Sequence, residues 1–189
     1  MSWTLDTAHT TVSFSVRHMG LSKVRGQFTR FGGEVSGDPA DVAGARGRIE
    51  IEMASIDTGN PDRDAHLRSA ELFDVDRFPT MVFEAKSVTP AGDGRYVVVG
   101  ELTIKGVTRP VELDYEHGGE GVDPFGNHKV GGTLTTTIKR SDWGLKWNLP
   151  LDGGGWLVSD NVAIEIDVQL VRSRAAVEEG AAAESSVSA

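Results

Sequence analysis

Apolar and polar residues alternate with a period of two along most of this chain, the pattern of β-strands with one buried and one wet face. Residues 3–5 can start a short strand. In residues 11–18, Val12, Phe14 and Val16 take one face, with His18 at its end, and Thr11, Ser13, Ser15 and Arg17 take the other. Val24, Gly26 and Phe28 continue a second strand, but Phe31, Gly33 and Val35 have the opposite parity. A one-residue slip swaps faces, so a bulge or bend is expected near Gly32, and residues 37–44 read as a turn region. Ile49, Ile51 and Met53 then alternate with Arg48, Glu50 and Glu52. Strands are expected over 80–88 and 95–105, separated by the turn PAGDG, with Tyr96, Val98, Leu102 and Ile104 on one face. Over 109–116, Val111, Leu113 and Tyr115 alternate with polar neighbours, and a glycine-rich loop, GGEGVDPFGN, follows. Over 129–140, Val130, Leu134 and Ile138 oppose a file of lysines and threonines; finally Val162, Ile164, Ile166, Val168 and Leu170 oppose Glu165, Asp167 and Gln169.

One stretch breaks the alternation. In SIDTGNPDRDAHLRSAELFDVDRFPTMVF, residues 55–83, Asn60 can cap a helix, Pro61 suits its first position, and Asp62 and Asp64 put negative charge at its positive end. Arg68 follows Asp64 by four residues, within reach of a helical ion pair, while Leu67 and Ala70 give a short apolar edge. Pro79 turns Phe78 back towards extended backbone. This predicts a short helical insertion near residues 61–71, placed between strands as a plug or lid.

About eight antiparallel strands with one apolar face can close into a barrel, or pack as a two-sheet sandwich; the alternation is the same in both. Residues 1–172 read as one domain. Residues 173–189, SRAAVEEGAAAESSVSA without its first residues in any strand pattern, are poor in large apolar groups and are expected to form a disordered tail.

Composition narrows the function. With 28 acidic and 19 basic residues the net charge is −9, and the basic residues are dispersed, which argues against nucleic acid as a partner. There is no cysteine, so disulfides and thiolate metal sites are excluded. No apolar run approaches the ~20 residues of a membrane-spanning helix. The start, MSWTLDTAHT, has neither the basic nor the apolar part of a secretory leader, so a cytoplasmic setting is expected. No nucleophile elbow, phosphate-binding glycine loop, HExxH or calcium-loop spacing occurs. His9 and Asp6 read as a strand-start contact. No catalytic residue, metal ligand or cofactor is therefore expected.

Three groups remain as candidates. The apolar strand faces line either a packed core or a ligand tunnel. The segment WGLKWNLPLDGGGWL, residues 143–157, crowds Trp143, Leu145, Trp147, Leu149, Leu151 and Trp156 into a loop broken by glycine and proline. It suits the mouth of a cavity, a contact with a membrane surface or second subunit, or an end plug. The cluster Arg63, Asp64, His66 and Arg68 suits either a polar head group or a capped surface helix. His18 reads as a hydrogen-bonded core histidine that the barrel reading puts near a head group, and Arg140 as a partner of Asp142 or Asp160.

Several segments together resemble the YceI-like family of polyisoprenoid-binding, lipocalin-like proteins. They are HTTVSFSVRHMG, with His9, Val12, Phe14, Val16 and His18; GQFTRFGGEV; the helical stretch SIDTGNPDRDAHLRSAELFDVDRFPTMVFEA; GELTIKGVTRPVEL; IKRSDWGL; and VSDNVAIEI. Trp143 stands where that family has Phe after Arg140, Ser141 and Asp142, and the leader common in the family is missing. The resemblance implies an all-β fold: an extended antiparallel eight-stranded lipocalin-like barrel. Its long apolar cavity would hold an isoprenoid or comparable lipid chain, often in a homodimer; a transient membrane contact is expected instead from the loop at residues 143–157. Sequestration of small hydrophobic compounds is the alternative function, and an enzyme acting on an isoprenoid a further one. On this reading the ligand contacts come from the first strands (Phe14, Val16, His18, Phe28), from Ile51 and Met53, and from Leu67, Phe73 and Phe83 in and after the insertion. Leu102, Ile104, Leu113, Leu134 and Ile138 supply the middle strands, Trp143 and Leu145 the loop, and Ile164 and Ile166 the last strand.

Overall fold

In the computed structural model, residues 1–38 and 40–172 are described; the expected tail at 173–189 lies outside them. The last strand, β11 (Val158–Arg172), organises the sheet. One edge pairs with β10 (His128–Lys139). The other edge carries two strands in succession: β2 (Thr11–His18) on its first part, and β1 (Ser2–Leu5) on its end through Thr4–Val171 and Leu5–Leu170. β1 and β2 are thus one wall strand, interrupted at residues 6–10.

The next two strands break at the same height. β3 (Ser22–Phe28) pairs with β2, and β4 (Phe31–Asp38) with β1. β5 (Asp41–Glu52) pairs with β4, and β6 (Ile56–Asp57) with β3. The breaks are stitched together where Thr29 N–H donates to Ser55 O and Glu52 N–H donates to Arg30 O. The expected bend therefore lies at Thr29–Arg30, and Gly32 sits inside β4, because the register of Val12 with Phe28 and of Thr4 with Glu34 forces the parity change between them. From β5 the sheet continues through β7 (Thr80–Gly92), β8 (Arg95–Ile104), β9 (Val107–Val122) and back to β10. The ring β1–β4–β5–β7–β8–β9–β10–β11 closes an eight-stranded antiparallel barrel, with β2, β3 and β6 extending one side of its wall. Closure leaves no edge in the ring.

Several strands run further than the alternation shows. β4 and β5 reach Asp38 and Asp41, so the expected turn over 37–44 is a tight hairpin, and β9 runs to Val122 through glycines that pair with β10. Cross-strand pairing keeps these glycines in the sheet although no side-chain pattern marks them, with Gly119 at a φ of 112° that only glycine adopts easily.

Beyond β6 the wall is made by residues 58–79. The helix α1 (Pro61–Arg68) starts as its sequence dictates, with Asn60 Oδ1 accepting from Arg63 N–H at 3.0 Å and Pro61 at the first turn. It ends at Arg68, short of residue 71. The anticipated pair of Asp64 with Arg68 does not form. Arg68 donates to Ala54 O and Ile56 O, both at 2.9 Å, tying the insertion to β6. Buried Asp64 instead accepts from Thr58 N–H and from the Thr58 hydroxyl, the latter at 2.5 Å. On the far side Lys105, in the β8–β9 turn, donates to Leu72 O at 2.6 Å. The insertion is thus clamped from both sides of the gap it fills.

Candidate functional site

The inward faces do not fill the barrel. An apolar chamber of about 420 Å³ runs into it from the end that carries α1, the β2–β3 turn and the loop after β10. That volume lies within the ~300–1,000 Å³ of small-molecule sites. Its walls include Phe14, Val16 and Phe28 from the first wall strands, Ile51, and Leu67, Phe73 and Phe83 from the insertion and β7. Leu102, Ile104, Leu113, Leu134, Ile138, Leu145, Ile164 and Ile166 complete the candidate residues found there, with His18 at the rim. Two others lie outside the lining. Met53 is 2% exposed in a short 3-10 turn, packed into the core around Ile56. Trp143 is 3% exposed, with its indole N–H donating to Leu102 O at 3.0 Å on the core side of the loop. Met53 follows the apolar parity of β5 but sits where the backbone leaves the strand, so parity no longer sets its direction; Trp143 follows β10 in a second 3-10 turn that aims its ring at the core.

Space is left because large rings lie against glycines. A Cβ built on Gly26 would be 2.4 Å from Cζ of Phe14, one on Gly100 2.5 Å from the Phe83 ring, and one on Gly132 2.5 Å from the Tyr115 ring. Each ring occupies the room of a missing side chain on the neighbouring strand and so stays close to the wall. In the sequence Gly26 simply shares a strand face with Val24 and Phe28, and Gly100 and Gly132 carry no pattern that marks them for this role.

A second apolar chamber of about 140 Å³ adjoins it towards the β4–β5 hairpin, walled by Trp3, Val35, Val42, Val88, Val98, Tyr115, Val130, Val168 and Leu170. Their parity was legible on β8, β10 and β11, but only closure through β1 and β4 brings them round one space. Here the Tyr115 hydroxyl donates to Gly131 O at 3.2 Å and lies 3.1 Å from His117 Nδ1; burial pushes its pKa up to about 12.

Polar groups of the first chamber gather at its rim. Arg63 donates to the hydroxyl and carbonyl of Thr58, at 2.7 and 2.8 Å. His66 is 2.8 Å from Glu71 Oε2 and meets the Trp147 ring edge to face at 4.5 Å. Of the charged cluster, Arg63 and His66 face the chamber, with Asp62 beside them, while Asp64 and Arg68 hold the insertion in place. Arg140 does not pair with Asp142 or Asp160. It donates to Ser159 O, Leu145 O and Trp147 O at 3.0, 2.5 and 2.9 Å, and Asp160 accepts from Ser141. Burial lowers the Arg140 pKa, with Asp160 partly offsetting it. The loop it fixes divides its apolar residues: Leu145, Trp147 and Leu157 line the chamber, whereas Leu149 and Trp156 are exposed beside Met19 and Leu21 of the β2–β3 turn. Among the described residues no cluster of His, Asp and Glu is arranged to hold a metal ion.

The YceI-like domain model matches residues 3–170. This chain belongs to the YceI-like family. UPF0312 proteins are similar in sequence: one from Vibrio cholerae is 35% identical over 146 residues, 76% of this chain and 77% of that one. Another, from Shewanella baltica, is 37% identical over 142 residues, 75% and 74% of the two chains. Among solved structures, BcnA of Burkholderia cenocepacia superposes with a TM-score of 0.73 at 28% identity, covering 89% of this chain and 99% of that one. The YCEI protein of Campylobacter jejuni gives 0.70 at 30% identity, covering 89% and 96%. A polyisoprenoid binding domain from Saccharophagus degradans shares the fold, with a TM-score of 0.63 at 16% identity over 89% and 97% of the two chains.

Proposed function

We propose that this protein binds the hydrocarbon chain of an isoprenoid or comparable lipid within the barrel, as a non-enzymatic carrier or store, and keeps the polar end at the rim. The observation that carries this reading is the chamber itself, deep, apolar and open at one end, with cationic Arg63 and Arg140 at that end. Each buried methylene contributes on the order of 0.8 kcal/mol, so a long chain binds tightly without a specific polar partner along its length. At the rim two guanidinium groups offer a head group charge-assisted donors. The family membership and the likeness to the polyisoprenoid binding domain of Saccharophagus degradans agree with this reading.

Exposed Met19, Leu21, Leu149 and Trp156, near the open end, support transient contact with a membrane surface during loading, since a tryptophan on a loop suits the lipid–water interface. A cytoplasmic setting and a homodimer are part of the same proposal. Native mass spectrometry of gently purified protein tests it, with a co-purifying prenyl or acyl lipid as the expected result. Apo protein that also ignores added prenyl lipids overturns it. Displacement of the lipid by small hydrophobic drugs at comparable affinity turns the reading to sequestration.

A further inference from the structure

The two chambers meet at one level of the barrel, and three residues line both: Ile49, Phe83 and Leu134. Ile49 and Phe83 are register partners on β5 and β7. Leu134 lies on β10, the fourth strand from β5 in either direction round the ring, so it faces them from the opposite wall. The Phe83 ring is parked over Gly100, where a Cβ would lie 2.5 Å from Cε2 and Cζ. A phenylalanine at this level thus narrows the bore less than its size allows, and only this ring, Ile49 and Leu134 stand between the two chambers.

The geometry points to Phe83 as a specificity-determining residue which, with Ile49 and Leu134, gauges the length of the bound chain. This rests on the lumen being the lipid site. A short chain ends within the first chamber and does not pass between Phe83 and Leu134. A longer one threads its tail between Phe83 and Leu134 and gains the apolar wall formed by Val88, Val98, Val130 and Val168. Head-group contacts at the rim are common to both, so residue 83 acts on the contrast between long and short chains. No polar group at the constriction needs a partner, since its lining is two aliphatic side chains and a phenyl ring.

The test titrates the full-length protein with farnesol and with a long-chain polyprenol, by displacement of a fluorescent apolar probe, and reads the ratio of the two affinities. Phe83→Ala raises the long-to-short ratio, and Leu134→Trp and Ile49→Phe lower it, each by about tenfold, the effect of about two methylenes gaining or losing an apolar seat. Thermal melts identify the variants that fold; if Leu134→Trp does not, the other two decide. A ratio that stays within about threefold in the folded variants overturns the gauge while lipid binding stands. Failure of the unsubstituted protein to bind either alcohol overturns the lipid reading, and the gauge with it.

Discussion

Phe14 and Gly26 are cross-strand partners, and the Phe14 ring fills the space that a side chain at position 26 would need, its Cζ 2.4 Å from where that Cβ would lie. Thr58 Cγ2 also lies 2.9 Å from that point, on a side chain held by Asp64 and Arg63. Gly26→Ala therefore drives the ring off the wall into the lumen. Overpacking of this kind costs about 1–3 kcal/mol. The melting temperature should fall and prenyl-lipid affinity with it, while the double variant Phe14→Ala/Gly26→Ala should recover binding. Equal loss in single and double variants would show that the seat on Gly26 does not keep the lumen open.

Asp64 holds the strand-to-helix junction through Thr58, and Arg63 grips the same hydroxyl. Asp64→Ala strands a buried donor, with an expected loss of about 1–3 kcal/mol in urea unfolding. Asp64→Asn keeps an acceptor oxygen and should lose less. If the two variants are equally stable, the Thr58 contacts are not what the carboxylate supplies.

Arg140 spans three carbonyls from two segments. Arg140→Met leaves all three without that donor and should cost on the order of 2 kcal/mol. Arg140→Lys should recover only part, since an ammonium cannot fork across them. Hydrogen exchange should rise first at residues 145–147, where Trp147 meets His66. Protection there equal to the parent's would argue that the loop is held by its apolar residues instead.

Asp6, in the break between β1 and β2, is bonded by Lys129 from β10 and lies 3.0 Å from His9 Nδ1. The Lys129 bond, then that of His9, holds its pKa below the usual carboxylate value against the opposing effect of burial. Because the folded pKa lies below the unfolded one of about 3.9, the unfolded chain takes up the proton first on acidification. The contribution is complete above the unfolded pKa and disappears as pH falls through the folded one. Asp6→Asn should thus be less stable than the parent at neutral pH, with the difference shrinking below about pH 4. A difference that persists unchanged into acid would assign the effect to geometry, not charge.

Residue order alone determined the strands, their wet and dry faces, and the start of the helix, because these follow from local geometry: a two-residue period, the Asn60 cap and the fixed φ of Pro61. Most of the residues expected as ligand contacts do line the first chamber, although they make up only about half of its lining. Parity failed at Met53, where the chain turns out of the sheet; Trp143, expected in the loop after β10, lies in the core instead; and Asp64 and Arg68, whose helical spacing suggested each other, have Thr58, Ala54 and Ile56 as partners. The alternation put the strand break near Gly32, and its exact place at Thr29–Arg30 depends on β3 and β4 finding different partners in β2 and β1. Whether the interior is solid or hollow was decided only by closure. Alternation says which side chains face inward; how far they reach depends on register between distant strands, which lays Phe14 on Gly26 and Phe83 on Gly100 and leaves the axis of the barrel open.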